Sequence, residues 1–126
     1  MEYTINMGEY EAEVKARWGD TIAYKQSSER TSSYSAADFA KAKADQEAAT
    51  EALLACFTEG KAIDSEEAQK AVLMHREAIS KWFYDCSPEM QKNLALMYIS
   101  DERFKKYYDD RSKGLAQFVH DAIFAQ

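Results

Sequence analysis

The sequence has 126 residues, a length at which one domain can bury a core without disulfides or metals. Only four glycines and one proline interrupt it, so long helices are favoured, and strands would have few turns to bound them. A formal charge of −6 disfavours nucleic-acid contact, and the lack of any ~20-residue apolar stretch or signal-peptide pattern predicts a cytoplasmic chain with no membrane segment.

The first thirty residues predict two weakly held helices. Residues 9 to 18 carry only a thin apolar stripe, which Gly19 can end. Asp20 can cap a second helix over residues 21 to 30, and the Ser/Thr-rich residues 31 to 33 break it. We therefore expect residues 1–34 to be flexible or ordered by a ligand.

Two long helices follow, each with a start signal. Ser35 and Asp38 form an N-cap pattern for a helix that Gly60 stops. Asp64 and Glu67 form a capping box for the next helix, which runs to about residue 84. The short loop between them predicts antiparallel packing.

Residues 85 to 88, Asp-Cys-Ser-Pro, predict a sharp corner, with Ser87 as N-cap and Pro88 in the first helical position. The helix from Pro88 continues to about residue 99, a short helix follows Asp101, and a last helix begins at about Ser112. The sequence therefore predicts a single all-α domain, with its helical core in residues 35–126.

The two cysteines have different surroundings. Cys56 lies on the apolar stripe of a long helix next to Phe57, which is typical of a small buried hydrophobe. Cys86 precedes an N-cap, where the positive end of the helix would lower the pKa of a thiol and make it a nucleophile. An inert thiol at a helix end is the alternative for Cys86.

The two histidines offer neither a catalytic base nor a metal site. About 16 Å of helix rise separates His75 from Cys86, so a direct hydrogen bond between them is disfavoured. His75 is interpreted as a half-buried, hydrogen-bonded residue, and His120 as solvent-facing. Two histidines and two scattered cysteines lack any zinc-binding spacing, so neither a metal nor a cofactor is expected.

Aromatic side chains are the most unusual feature of the sequence. Trp82, Phe83 and Tyr84 are consecutive, and they cannot all point into one core because helical neighbours lie about 100° apart. Tyr107 and Tyr108 are a second adjacent pair. This indicates a cleft for a large, partly apolar molecule, although a core also accounts for many of these side chains.

An ordered series of motifs resembles the TipAS antibiotic-recognition domain family over about residues 8 to 123. It consists of Trp18-Gly19-Asp20-Thr21, Tyr24, His75-Arg76, Trp82 to Met90 (WFYDCSPEM), Met97-Tyr98, Asp101 to Phe104 and Tyr107-Tyr108-Asp109.

The resemblance implies a globin-like fold without haem that forms the C-terminal effector half of MerR-type transcription activators. Such domains bind thiopeptides and other bulky antibiotics in a cleft, which the loose N-terminal part folds over. In thiopeptide-sensing members the cysteine that corresponds to Cys86 adds to a dehydroalanine of the drug. The family's usual upstream winged-helix domain, which binds DNA, and its dimerising coiled coil are absent here. We therefore expect a monomer, either an effector half or a short form that sequesters drug.

The candidate binding residues come from these motifs. They are Cys86 for covalent attachment, and Trp18, Tyr24, His75, Trp82, Phe83, Tyr98, Tyr107 and Tyr108 for ligand contact. Two alternatives remain at this point: a thiol-dependent enzyme that uses Cys86, and a helical module that binds a partner protein through an aromatic patch.

Overall fold

The computed structural model describes residues 21–126, which form six α-helices and no strand. The helices are α1 (Ile22–Thr31), α2 (Ala36–Thr58), α3 (Glu66–Trp82), α4 (Pro88–Ser100), α5 (Glu102–Asp109) and α6 (Leu115–Phe124). The all-α prediction is confirmed. The expected helix over residues 9 to 18 lies outside the described residues. The prediction of Asp20 as the cap of α1 is wrong, because Thr21 is the N-cap and its hydroxyl accepts the Tyr24 amide at 3.1 Å.

Local cap chemistry explains where α2 and α4 begin. The Ser35 hydroxyl accepts the Asp38 amide at 3.2 Å, while the Asp38 carboxylate accepts the Ser35 amide at 3.0 Å. Ser87 caps α4 by accepting the Met90 amide at 3.1 Å, and Pro88 occupies the first turn. Both predicted starts are confirmed.

The predicted start of α3 is wrong by one residue. Ser65, and not Asp64, is the N-cap, and its hydroxyl accepts the Ala68 amide at 3.2 Å. Because Ser65 itself reaches the free amide in the first turn, the Asp64 carboxylate is not needed there, and Glu67 falls too early for a capping box.

The last helix begins at Leu115, three residues later than expected. Gly114 precedes it in the left-handed conformation with φ 95°, and it offers no side-chain cap. The Asp109 carboxylate replaces the cap by accepting the Ala116 amide at 3.0 Å. A turn therefore occupies residues 110 to 114 and delays the helix.

Helix α6 is the centre of the core. It packs against α2, α3, α4 and α5, and its Leu115, Val119, Ala122 and Ile123 are fully buried. Helices α2 and α3 form the largest pair contact in the described chain. Cys56 of α2 is 6% exposed, which confirms it as a small buried hydrophobe.

Helix α1 differs from the other five because it contributes no buried residue. It contacts α3, and its Ile22 is 78% exposed. The side chains of α1 are therefore at most half-buried. No helix of the described region combines the length and the apolar character needed to cross a membrane.

Candidate functional site

The candidate site lies where α3 ends and α4 begins, at residues 82 to 87, which we call the corner. Helix α3 ends at Trp82, and Phe83 leaves the helical conformation with φ −121° and ψ −66°. The chain then folds back on α3, since the Cys86 amide donates to the Ser80 hydroxyl at 3.0 Å. This contact brings Cys86 against the last turn of α3.

Helix α1 is hydrogen-bonded to the corner. The Arg30 guanidinium donates to the Ser80 carbonyl at 2.6 Å and to the Asp85 carboxylate at 2.7 Å. The Gln26 side-chain oxygen accepts the Asp85 amide at 3.0 Å. Hydrogen bonding from Arg30, the largest cause, and the Arg30 charge hold the pKa of Asp85 below its usual value. These bonds link α1, which has no fully buried residue, to the corner.

Trp82 is fixed from two sides. Its indole Nε1 donates to the Asp45 carboxylate of α2 at 2.7 Å, and its carbonyl accepts the Tyr34 hydroxyl at 2.6 Å. The Tyr34 ring also meets the Trp82 and Phe39 rings edge to face, at centroid distances of 5.8 and 5.6 Å. Trp82 is half-buried.

Cys86 does not have the activated thiol that its position predicts. Its residue is 7% exposed, and burial raises the thiol pKa to about 11, although the Arg76 charge opposes that rise. The expectation of a lowered pKa is wrong because desolvation of a thiolate outweighs the helix end. In addition, the Met90 amide in the first turn of α4 already donates to the Ser87 hydroxyl, so it does not stabilise a thiolate at Cys86.

His75 belongs to a buried polar network in the core. Its Nδ1 accepts from the Gln91 amide group at 2.9 Å, which leaves Nε2 as the protonated nitrogen facing the Tyr98 hydroxyl at 3.0 Å. Gln91 also donates to the Val72 carbonyl at 2.8 Å, and its oxygen accepts from Gln126 at 2.8 Å. Burial lowers the pKa of His75 to about 4, so the ring is neutral. The interpretation of His75 as a hydrogen-bonded histidine is confirmed, with deeper burial than expected.

The adjacent tyrosines divide between core and surface. Tyr98 and Tyr108 are buried, with ring centroids 5.1 Å apart, and burial raises the pKa of Tyr108. Tyr107 is half-buried, and its hydroxyl donates to Glu47 of α2 at 3.2 Å. The Arg111 guanidinium donates to the same Glu47 carboxylate at 2.8 Å, and its central carbon lies 4.2 Å from the centroid of the Tyr107 ring.

The predicted binding residues thus fall into two groups. Trp82, Phe83 and Cys86 are in the corner, and Tyr24 lies on α1, the helix attached to it. His75, Tyr98 and Tyr108 are buried in the core. Tyr107 lies next to them in the chain and is hydrogen-bonded to Glu47 of α2. Trp18 lies outside the described residues.

Sequence reasoning missed the polar residues that assemble the corner. These are Gln26, Arg30, Tyr34, Asp45 and Ser80. Arg30 and Asp85 are 55 positions apart, and although Asp85 belongs to the corner motif, nothing in that motif points to Arg30. No signal in a single sequence indicates such a pairing.

Two shallow pockets open on the described surface. One of about 260 Å³ lies between α2 and α3, where Asp45 and Lys81 place it beside the indole of Trp82. The other, of about 280 Å³, lies among α4, α5 and α6 and includes Ile99 and Gln117. None of the predicted binding residues lines either of these two pockets.

His120 is not solvent-facing as expected. Its side chain is 17% exposed, because the ring packs on Phe124 with centroids 4.6 Å apart and Nδ1 lies 2.8 Å from the Asp121 carboxylate. Over residues 21–126, no group of three or more His, Cys, Asp or Glu side chains could hold a metal ion.

The fold and the corner define a small all-helical domain with a half-buried aromatic segment and a shielded thiol. The chain belongs to the TipAS antibiotic-recognition domain family, whose model matches residues 10–126. The resemblance seen in the sequence motifs is therefore confirmed.

Two longer proteins that are similar to this chain are transcriptional activators. The HTH-type transcriptional activator TipA of Streptomyces coelicolor is 42% identical over 117 residues, which cover 93% of this chain and 46% of that protein. The HTH-type transcriptional activator mta of Bacillus subtilis is 34% identical over 114 residues, or 90% of this chain and 43% of that protein. The chain thus spans less than half the length of the curated relatives it matches.

A solved structure shares the whole fold. It belongs to a thiopeptide antibiotic multidrug resistance system from Streptomyces lividans and shows nosiheptide in complex with TipAS. The TM-score is 0.87 at 40% sequence identity, covering 96% of this chain and 85% of that one.

Proposed function

We propose that this chain recognises a bulky thiopeptide-type antibiotic, as the drug-sensing effector domain of a MerR-type transcription activator or as a short form that sequesters the drug. The observation that carries the proposal is the likeness to TipAS in complex with nosiheptide, at a TM-score of 0.87 over 96% of the chain. The activator relatives support the regulatory context.

The proposed binding face is the corner together with α1. The α1 helix is hydrogen-bonded to the corner through the Arg30 guanidinium, which donates, and the Gln26 side-chain oxygen, which accepts, and α1 has no fully buried residue. A ligand rich in amide and aromatic groups can replace such bonds and stack on the half-buried Trp82 and Phe83. In this proposal residues 1–34 close over the drug, while residues 35–126 provide the preformed core.

Covalent capture by Cys86 is the finer part of the proposal. The thiol loses its proton to solvent, and the sulfur forms a bond to the terminal CH₂ carbon of a dehydroalanine. The π electrons of the double bond move to the α-carbon, which takes up a proton, so no group leaves and no oxidant is needed. Because Cys86 is shielded and its pKa is raised, capture requires the corner to open first.

A one-time capture fits the corner better than enzymatic turnover. Both ring nitrogens of His75 are engaged in the core network, and Arg76 is the charged residue that acts on the Cys86 thiol. A turnover enzyme needs a base that reactivates its thiol, whereas a single addition does not. We accordingly propose a cytoplasmic, monomeric binding domain without enzymatic activity, which needs neither a cofactor nor a metal and touches DNA only through an upstream domain.

Intact-mass spectrometry after incubation with nosiheptide tests binding and capture separately. We expect one drug adduct on the wild-type chain and on the Cys56→Ser control, and none on Cys86→Ser. Titration followed by tryptophan fluorescence should still show saturable binding to Cys86→Ser.

Each negative result has its own meaning. Saturable binding without an adduct on any variant would remove the capture step and keep the recognition. Failure of all variants to bind, with unchanged helical circular dichroism, would refute thiopeptide recognition itself.

A further inference from the structure

Two consecutive residues of the corner, Asp85 and Cys86, are hydrogen-bonded to two different helices. On the α1 side, the Asp85 carboxylate accepts from the Arg30 guanidinium at 2.7 Å, and the Asp85 amide donates to the Gln26 side chain at 3.0 Å. On the α3 side, the Ser80 hydroxyl accepts the Cys86 amide at 3.0 Å and donates to the Cys86 carbonyl at 3.5 Å. One planar peptide unit joins Asp85 to Cys86, so the two residues move together.

Ser80 joins the same two partners a second time. A continued helix would direct the Tyr84 amide to the Ser80 carbonyl, but the Tyr84 amide donates to the Ile79 carbonyl at 3.3 Å instead. The Ser80 carbonyl accepts from the Arg30 guanidinium at 2.6 Å. Ser80 is therefore bonded to α1 through its carbonyl and to Cys86 through its hydroxyl.

The thiol of Cys86 lies where a substituent has little room. The residue is 7% exposed, and the thiol donates to the Ser87 carbonyl at 3.7 Å. A substituent on the sulfur removes that donor and adds atoms to a closely packed place, which the surroundings accept only by shifting. We therefore expect a modified Cys86 to move outward and to carry the adjoining backbone with it.

We propose that the Asp85–Cys86 dipeptide couples the thiol to α1, such that a substituent on the Cys86 sulfur detaches α1 from the corner. Outward movement of Cys86 displaces Asp85, and the bonds from Asp85 to Arg30 and Gln26 then break. Helix α1 has no fully buried residue to hold it in place once these bonds are lost. Such a coupling acts in both directions, so release of α1 also favours exposure of the thiol.

For its biological use this inference rests on the proposed capture of a drug by Cys86. The drug would then be the substituent, and the detached α1 is free to fold against it. Of the six described helices, α1 is the nearest in the chain to the upstream domain of the proposed activator, so its release would carry the signal of capture toward that domain. The coupling itself needs no drug.

The test attaches a small group to Cys86 and measures hydrogen exchange in α1. In a Cys56→Ser background at alkaline pH, the Cys86 thiol loses its proton to the buffer and its sulfur displaces iodide from iodoacetamide. Intact mass confirms a single carboxamidomethyl group, and exchange is then measured at neutral pH. Loss of one or two hydrogen bonds should raise the detached fraction at least about fivefold, so amides of residues 22–31 should exchange faster by that factor. Exchange in α2 and α6 should not change.

Two controls isolate the route through Asp85. The Cys56→Ser/Cys86→Ala protein has no thiol, so treatment with iodoacetamide should leave exchange in α1 unchanged. In an Arg30→Ala background the bonds to Asp85 and Ser80 are already lost, so the adduct should accelerate exchange in α1 much less than in the parent. If circular dichroism shows that the carboxamidomethyl group unfolds the domain, the smaller methylthio group from methyl methanethiosulfonate replaces it.

Equal exchange in α1 with and without the substituent would overturn the inference. An equal acceleration in the Arg30→Ala background would also overturn it, because Asp85 would then not transmit the effect. Faster exchange in every helix with the methylthio group would do the same, since the adduct would then weaken the whole domain. Because these reagents are not drugs, a protein that takes up no nosiheptide but releases α1 on alkylation would refute the proposed ligand and keep the coupling.

Discussion

The indole of Trp82 donates a hydrogen bond of 2.7 Å to the Asp45 carboxylate and so joins the end of α3 to the first half of α2. This bond, the largest cause, helps to hold the pKa of Asp45 below its usual value. It also fixes the orientation of the first aromatic residue of the corner, beside the pocket between α2 and α3.

Loss of the Asp45 acceptor should loosen the corner. In Asp45→Ala we expect a lower thermal midpoint and a changed Trp82 emission spectrum, because the indole N–H loses its partner. Lys81→Gln is the matched control, since it keeps the indole bond while it removes the 3.6 Å ion pair to Asp45 and the ammonium that lies 5.1 Å from the Trp82 ring centroid. Equal effects of both substitutions would show that the charge, and not the indole bond, matters.

Release of α1 should expose Cys86. Arg30→Ala removes the bonds to the Ser80 carbonyl and the Asp85 carboxylate. The loss of such bonds should raise the fraction of molecules in which α1 is detached from the corner roughly fivefold. We therefore expect iodoacetamide to label Cys86 several times faster at constant pH, as measured by intact mass. The exposed Lys25→Ala on the same helix should label at the parental rate. Identical rates for both variants would mean that α1 does not shield the thiol.

His75 should make folding stability depend on pH. Its folded pKa of about 4 lies below the ordinary histidine value of 6.5, so the unfolded chain binds the proton first as pH falls. The free energy of unfolding should be constant above about pH 6.5 and should fall by about 2 kcal/mol by about pH 5. Urea titrations at several pH values measure this decrease.

Substitution of each histidine in turn shows which one causes the fall in the free energy of unfolding at acidic pH. His75→Gln should be less stable than the parent at neutral pH but should lack this decrease, whereas His120→Gln should retain it. A decrease of full size in His75→Gln would place its source in other groups.

The two glycines with positive φ should differ in their tolerance of a side chain. At Gly114, φ is 95° and a Cβ would lie 3.3 Å from the Phe57 ring, so Gly114→Ala should cost about 2 kcal/mol. At Gly60, φ is 72° with no atom within 4 Å of a Cβ, so Gly60→Ala should cost only about 1 kcal/mol. Urea unfolding gives both values, and equal losses would argue against tight packing of Phe57 on Gly114.

The helices and the caps of α2 and α4 could be predicted from the sequence because each depends on groups only a few positions apart. Ser35 meets Asp38, and Ser87 meets the Met90 amide, through the geometry of a single turn. The start of α6 could not be predicted in this way. Its cap comes from Asp109, seven residues away from the Ala116 amide, and the Phe57 ring of another helix lies beside Gly114.

The candidate site was only partly accessible to the same reasoning. The sequence alone indicated an all-helical domain and directed attention to the aromatic segment and Cys86, since composition and local spacing carry that information. Only the tertiary structure placed His75 in a buried network, brought Arg30 onto Asp85 and raised the pKa of Cys86. The physical reason is that desolvation and long-range pairing depend on which helices pack around a group, and neighbours along the chain do not determine that packing.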